Sequence, residues 1–276
     1  MIPPPNDMPP LDPTNDRVRA ATGLDSATIL ALEPNARTAT STAFIAGSRV
    51  LGYSNVGSDI DVFVIGEGKP TGAFSDGDAT RYYHSQHFHE GLRVDYEFWH
   101  PEVVHRLAVR ASSVKLNTLM PIDEFTADEL VLLDRIRHGV PLHNSDQFHS
   151  WQSAVDYRHL ARFLTYCRIR RIDVMLEDII GMVDSDDLEC AALQGRALVE
   201  AAADAFAYSL GATSTKDKWR MKVLTGISDS RSAHVRQRLW HLSFPLLSED
   251  AGQERCRVYV MDCIAFANQV TDWVIP

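Results

Sequence analysis

Residues 58–65 read Ser-Asp-Ile-Asp-Val-Phe-Val-Ile. A run of four apolar residues, three of them β-branched, has the length and composition of a strand buried in a sheet. Two aspartates stand at its entrance. On a strand, Asp59 and Asp61 are two positions apart and share one face. Side-by-side carboxylates repel unless a cation neutralises them. A hard divalent ion such as Mg²⁺ needs only one or two carboxylates and completes its shell with substrate phosphates. Gly47-Ser48 precedes this strand by a short polar spacer. Glycine there permits close approach of backbone to phosphate.

Around this stretch the chain alternates short strand-like and helix-like runs. A helix is expected near Asp16–Leu32, and Ser41–Ile45 reads as a strand leading into Gly47-Ser48. Arg49–Leu51 would open a short helix with its N-terminal amides toward the phosphates. Residues 66–80, with four glycines, two aspartates and a proline, read as a loop. Arg81–His89 and Leu92–Trp99 flank Glu90-Gly91, a hairpin signal. In the second run Asp95 and Glu97 share one face. Pro101 opens a helix, where proline is tolerated. Another begins after Thr126 and stops at Gly139-Val-Pro.

From Trp151 onward helix-period apolar positions dominate. The expected helices are Ser153–Val174, Asp187–Leu210, Lys216–Leu224, Ser232–His241 and Asp250–Trp273. The first fifteen residues hold six prolines and little apolar mass, the composition of a disordered tail. The expected organisation is α+β: a tail over 1–15, a mixed-sheet domain with flanking helices over 16–148, and an all-helical domain over 149–276.

Composition narrows the classes. An apolar share of 45% suits a soluble globular chain. A net charge of −10 argues against a dedicated nucleic-acid binder, which presents a basic face. No apolar run approaches a membrane span. Met1-Ile-Pro-Pro-Pro lacks the basic start and apolar stretch of a signal peptide, so the expected compartment is the cytoplasm. Cys167, Cys190, Cys256 and Cys263 form no Cys-x-x-Cys pair and read as reduced core thiols.

Gly47-Ser48, the spacer, Ser58-Asp59-Ile60-Asp61 and the later Asp95 together resemble the nucleotidyltransferase fold of the DNA polymerase β superfamily. The pattern is most similar to the branch acting on small molecules, including aminoglycoside nucleotidyltransferases. Arg135-Ile-Arg-His-Gly-Val-Pro-Leu-His143 also resembles the junction in that branch, where a helix ends in Gly-x-Pro-Leu. The motifs cover about residues 40–145. The resemblance implies a sheet domain followed by a helical bundle. It implies two Mg²⁺ ions held by Asp59, Asp61 and Asp95, and transfer of a nucleoside monophosphate, AMP from ATP, to a hydroxyl of a small molecule. Asp95 would also accept the hydroxyl proton. Glu97 shares its face, so spacing alone leaves both open as the third carboxylate.

The nucleotide would touch Gly47 and Ser48. Lys216, Lys218, Arg220 and Lys222 form the densest basic cluster, and Lys218 and Lys222 are expected on the triphosphate in a cleft between the domains. Ser48 could equally cap a helix, and Ser58 reads as a turn residue. His84, His87 and His89 lack partners at zinc-site spacing. Arg236-x₄-His241 faintly resembles a ribonuclease motif, and Asp184, Asp186, Asp187 and Glu189 read as a solvated helix start. Two rivals remain: a protein AMPylase of antitoxin type, and a silent nucleotide-binding module.

Overall fold

The computed structural model describes residues 13–68, 82–116, 124–244 and 252–275. Most of the expected 66–80 loop and of the 1–15 tail lies outside the described residues. Within them the protein is α+β, with a five-stranded mixed sheet and a helical C-terminal region. Two compact units divide the described chain. The first holds residues up to Arg110 and Leu132–Val155, and the second holds Ala111–Val131 and the residues from Asp156 onward. The expected division at 148/149 thus differs by seven residues at the junction. Segment 111–131 also belongs to the helical unit.

The sheet unit opens with α1 (Pro13–Thr22) and α2 (Ser26–Leu32). The single helix expected over Asp16–Leu32 is two, and Pro13–Asn15 are helical rather than tail. Gly23, at φ +81°, breaks the first helix. Asp25 starts the second by accepting the Thr28 amide at 2.8 Å. The strands are β1 (Thr42–Ala46), β2 (Ile60–Ile65), β3 (Tyr82–His89), β4 (Leu92–Trp99) and β5 (Val140–His143), in the order β3-β4-β2-β1-β5. β2 and β4 run parallel, and the other pairs are antiparallel. The hairpin at Glu90-Gly91 is present. Both residues have positive φ, 49° and 82°, as a two-residue turn of matching twist requires.

Helices cover one face of this sheet. Ile45, Val62, Val64, Val94 and Tyr96 pack against Val18, Ile29 and Leu30 of α1 and α2. The Tyr96 hydroxyl donates to the Ile29 carbonyl, so the phenol buried in that layer is satisfied. On the other face Phe44 stacks on its register partner Phe63, with centroids 5.4 Å apart, and meets Phe148 at 4.9 Å. Phe148 belongs to α5 (Ser145–Ala154), which follows β5; neither element was expected. α4 (Ala127–His138) ends where Gln152 donates to the Ile136 and Arg137 carbonyls. α3 (Pro101–Ser113) opens at Pro101 as the sequence predicts.

The helical unit is built on α6 (Tyr157–Asp184), α7 (Leu188–Ser209) and α10 (Gly252–Val274), with α8 (Arg220–Gly226) and α9 (Ser232–Ser243) against them. α7 is the inner member. Ala201, Ala202, Ala203, Ala205 and Ala207 are all buried on it, alongside Leu198, Val199 and Phe206. Such small residues let helix axes approach closely without rotamer cost. Removing the Phe206 ring would cost about 3–5 kcal/mol on the scale of buried aromatic truncations. The four cysteines are free and lie on these helices. Cys263 is a core thiol, whereas Cys190 is exposed, which corrects the expectation for that residue.

Candidate active site

β2 and β4 are neighbours in the sheet, and Asp61 and Asp95 are register partners across them. Both project from the face opposite α1 and α2, since the alternate residues Val62, Val94 and Tyr96 fill the layer beneath those helices. Asp59 stands two residues before Asp61, just outside β2. The chain leading to it is held by Arg49, whose guanidinium donates to the Ser58 carbonyl at 2.6 Å and the Asp59 carbonyl at 3.1 Å. Ser58 accepts the Asn55 amide at 2.9 Å and is a turn residue, as expected.

Gly47 follows β1 with φ +87°. A Cβ there would lie 1.9 Å from Oδ2 of Asp61, so the carboxylate occupies space that only glycine leaves open. Ser48 is buried beside it. The expected helix at Arg49–Leu51 is absent. Residues 48–52 form turns, closed by Leu51 N–H to the Gly47 carbonyl (3.1 Å) and Tyr53 N–H to the Ser48 carbonyl (2.7 Å). Gly52, at φ +69°, turns the chain before a helix can propagate.

Arg93 is the residue that sequence reasoning missed. Its guanidinium is hydrogen-bonded to Asp59 and lies 3.0 Å from Oδ2 of Asp95. The signal was available, because Arg93 is two positions before Asp95 on β4 and so shares its face. Burial raises the Asp95 carboxyl to about 6; Arg93 opposes the rise, and Asp59 and Asp61 add to it. Burial acts on Asp59 in the same direction, but the Arg93 hydrogen bond and charge outweigh it, and Asp59 stays below the ordinary carboxylate range. Oδ1 of Asp95 is buried without a hydrogen-bond partner. Glu97 sits one pleat further along β4, and the Trp99 indole N–H donates to it at 2.5 Å.

This donor set suits a hard cation. All three groups are carboxylates, Asp95 carries an unpaired buried oxygen, and a positive group already bridges two of them. Among the described residues, no three His, Cys, Asp or Glu side chains are grouped to hold a metal ion in this conformation. Arg93 supplies the countercharge instead.

The other singled-out residues lie apart from this cluster in their contacts. His87 is paired with the fully buried Glu33 at 3.2 Å and set edge-on to Tyr96. In the helical unit the basic stretch divides. Arg220 is drawn to Asp204 at 2.6 Å and Asp217 at 2.5 Å. Lys218 and Lys222 are exposed, with the Lys218 ammonium 5.5 Å from the Trp219 ring centroid. A 3₁₀ turn over Asp217–Trp219 replaces the expected helix start at Lys216. Arg236 donates to the Thr225 hydroxyl at 3.0 Å, Asp186 pairs with Arg257 at 3.0 Å, and Asp187 caps α7.

No protein-family model and no curated protein matches the sequence. A nucleotidyltransferase-like protein from Exiguobacterium sibiricum is similar in structure, with 12% identity, 88% of this chain and 73% of that chain covered, and a TM-score of 0.48. No helix among the described residues is long and apolar enough to cross a membrane. The chemistry is therefore read from the side chains.

Proposed function

We propose that this protein transfers a nucleoside monophosphate, AMP from ATP, to a hydroxyl of a small molecule and releases pyrophosphate. The observation that carries this reading is the pairing of Asp61 with Asp95 across β2 and β4, with Asp59 joined to Asp95 through Arg93. Asp59, Asp61 and Asp95 would hold Mg²⁺, which supplies charge neutralisation on the phosphates when bound. The acceptor oxygen attacks the α-phosphorus, the bond to pyrophosphate breaks, and the acceptor proton passes to Asp95. In the metal-free protein burial raises this carboxyl to about 6, so it is ionised at neutral pH and free to serve as a base. Gly47 and Ser48 would bring backbone amide and hydroxyl donors to a phosphate.

Incubation with α-labelled ATP, GTP, CTP and UTP, Mg²⁺ and a metabolite library tests this. Label should pass from one nucleotide to a small molecule, and Asp59→Asn and Asp61→Asn should each abolish transfer while the circular dichroism spectrum is retained. Wild-type turnover in either variant would falsify the assignment. Label on a polypeptide would instead identify a protein acceptor.

Arg93 favours a second reading. A permanent arginine countercharge between Asp59 and Asp95 suits a silent nucleotide-binding module, and nucleotide binding without transfer in the same assay is its outcome. The sequence-based expectation that Lys218 and Lys222 meet a triphosphate tail has its own test. Replacing both with Gln should weaken ATP binding about tenfold or more and AMP binding little, by calorimetric titration. Equal losses would make them a solvated face.

A further inference from the structure

Within the helical unit lies a cavity of about 320 Å³. That volume falls at the lower end of small-molecule pockets. Its walls are apolar on one side: Phe125, Leu130, Phe163 and Leu164 line it, with the two rings edge to face at 5.6 Å. Arg168, Arg171 and Tyr208 line it as well. None of these residues belongs to the carboxylate cluster of the sheet unit.

Tyr208 is 3% exposed; the Arg168 guanidinium lies beside its hydroxyl, but no acceptor takes the hydroxyl proton. An unmet buried hydroxyl costs free energy that a ligand acceptor would recover. Burial pushes the phenol up to about 12, so it is a neutral donor at physiological pH. Arg168 lies 6.0 Å from the Tyr208 ring centroid and is mostly buried. Its carboxylate neighbour, Asp204 at 3.3 Å, is already engaged at 2.6 Å by Arg220. Asp204 thus serves two guanidinium groups, although Arg220 also meets Asp217 at 2.5 Å and Glu200 at 3.4 Å. Arg171 is exposed and has no ion pair among the described residues.

We propose that this cavity is a binding site for a small aromatic or aliphatic monocarboxylate. The apolar wall takes the ring or chain. The planar guanidinium of Arg168 fits a carboxylate, and the Tyr208 hydroxyl donates to the same head group. A dianionic phosphate would meet Asp217, which also lines the cavity, and Asp204 behind Arg168. Of the charged groups that line the cavity, Arg168 and Arg171 stand against Asp217 alone, which leaves one positive charge for the ligand and not two.

Calorimetric titration of the whole chain, without nucleotide or metal, tests the site with three probes: 3-phenylpropionate, 3-phenylpropan-1-ol and phenyl phosphate. The carboxylate should bind saturably at one site. The alcohol and the phosphate should bind at least about tenfold more weakly, the scale of one lost charge-assisted hydrogen bond. Tyr208→Phe keeps the ring and should weaken the carboxylate about three- to tenfold. Leu130→Trp should fill the cavity and remove binding, with melting curves checking that both variants fold. No saturable carboxylate binding overturns the proposal. So does equal or tighter binding of the alcohol or phosphate, or unchanged affinity in both folded variants.

Discussion

Gly47 and Gly52 differ by what surrounds them. Both have positive φ, but a Cβ on Gly52 meets nothing within 4 Å, whereas one on Gly47 would meet Asp61 at 1.9 Å. Gly52→Ala should therefore cost only the left-handed backbone penalty, about 1–2 kcal/mol, and preserve transfer. Gly47→Ala should lower the melting temperature further and abolish transfer, because Asp61 must move. Equal effects in the two variants would show that Asp61 has room to spare. The need for glycine at position 47 is legible in the sequence, but the atom that enforces it is not, since Asp61 lies on another strand. Arg93 teaches the same lesson. Its face follows from its spacing to Asp95, while its bond to Asp59 joins residues 34 positions apart.

β4 carries Arg93, Asp95 and Glu97 on one face, one pleat apart. Position along the strand decides their roles. Asp95 is level with Asp61, and Glu97 is level with Phe63 and bonded to Trp99. At saturating nucleotide and metal, Asp95→Asn should lower turnover about 10²–10⁴-fold, the usual contribution of a general base. Glu97→Gln keeps an acceptor for the Trp99 indole and should stay within a few-fold of wild type. The reverse order would move the third carboxylate to Glu97. The elements themselves were largely legible, because β2, β4 and the long helices have clear periodicity. β5 and α5 were not. Val140-Pro-Leu-His reads as the end of a helix, and only pairing with β1 makes it a strand; proline is tolerated there because the strand is at the sheet edge.

For the whole molecule, the carboxylate cluster makes stability depend on pH. Asp95 holds its proton to about 6 in the folded state and to 3.8 at its ordinary value. Between those limits the native form binds more protons, so this residue's contribution falls as pH rises from about 4 to about 6. The metal-free protein should therefore lose melting temperature over that window more steeply than Asp95→Asn does. Millimolar Mg²⁺ should raise the wild-type melting temperature at pH 7.5 and much less at pH 5, where protonation of Asp95 competes with the metal. A Mg²⁺ shift that is the same at both values, or that persists in Asp95→Asn, would place the metal elsewhere. From the sequence alone came the strand that Asp59 and Asp61 enter, the hairpin at Glu90-Gly91, the helical second half and the face shared by Asp95 and Glu97, because each follows from local backbone preference and side-chain periodicity. Tertiary structure alone decided that Asp61 meets Asp95, that Arg93 joins Asp59 to Asp95, that Arg220 serves Asp204 while Lys218 is exposed, and that Glu33 answers His87. Those outcomes depend on which distant elements pack together, and periodicity reports which face a side chain takes without naming what lies opposite it.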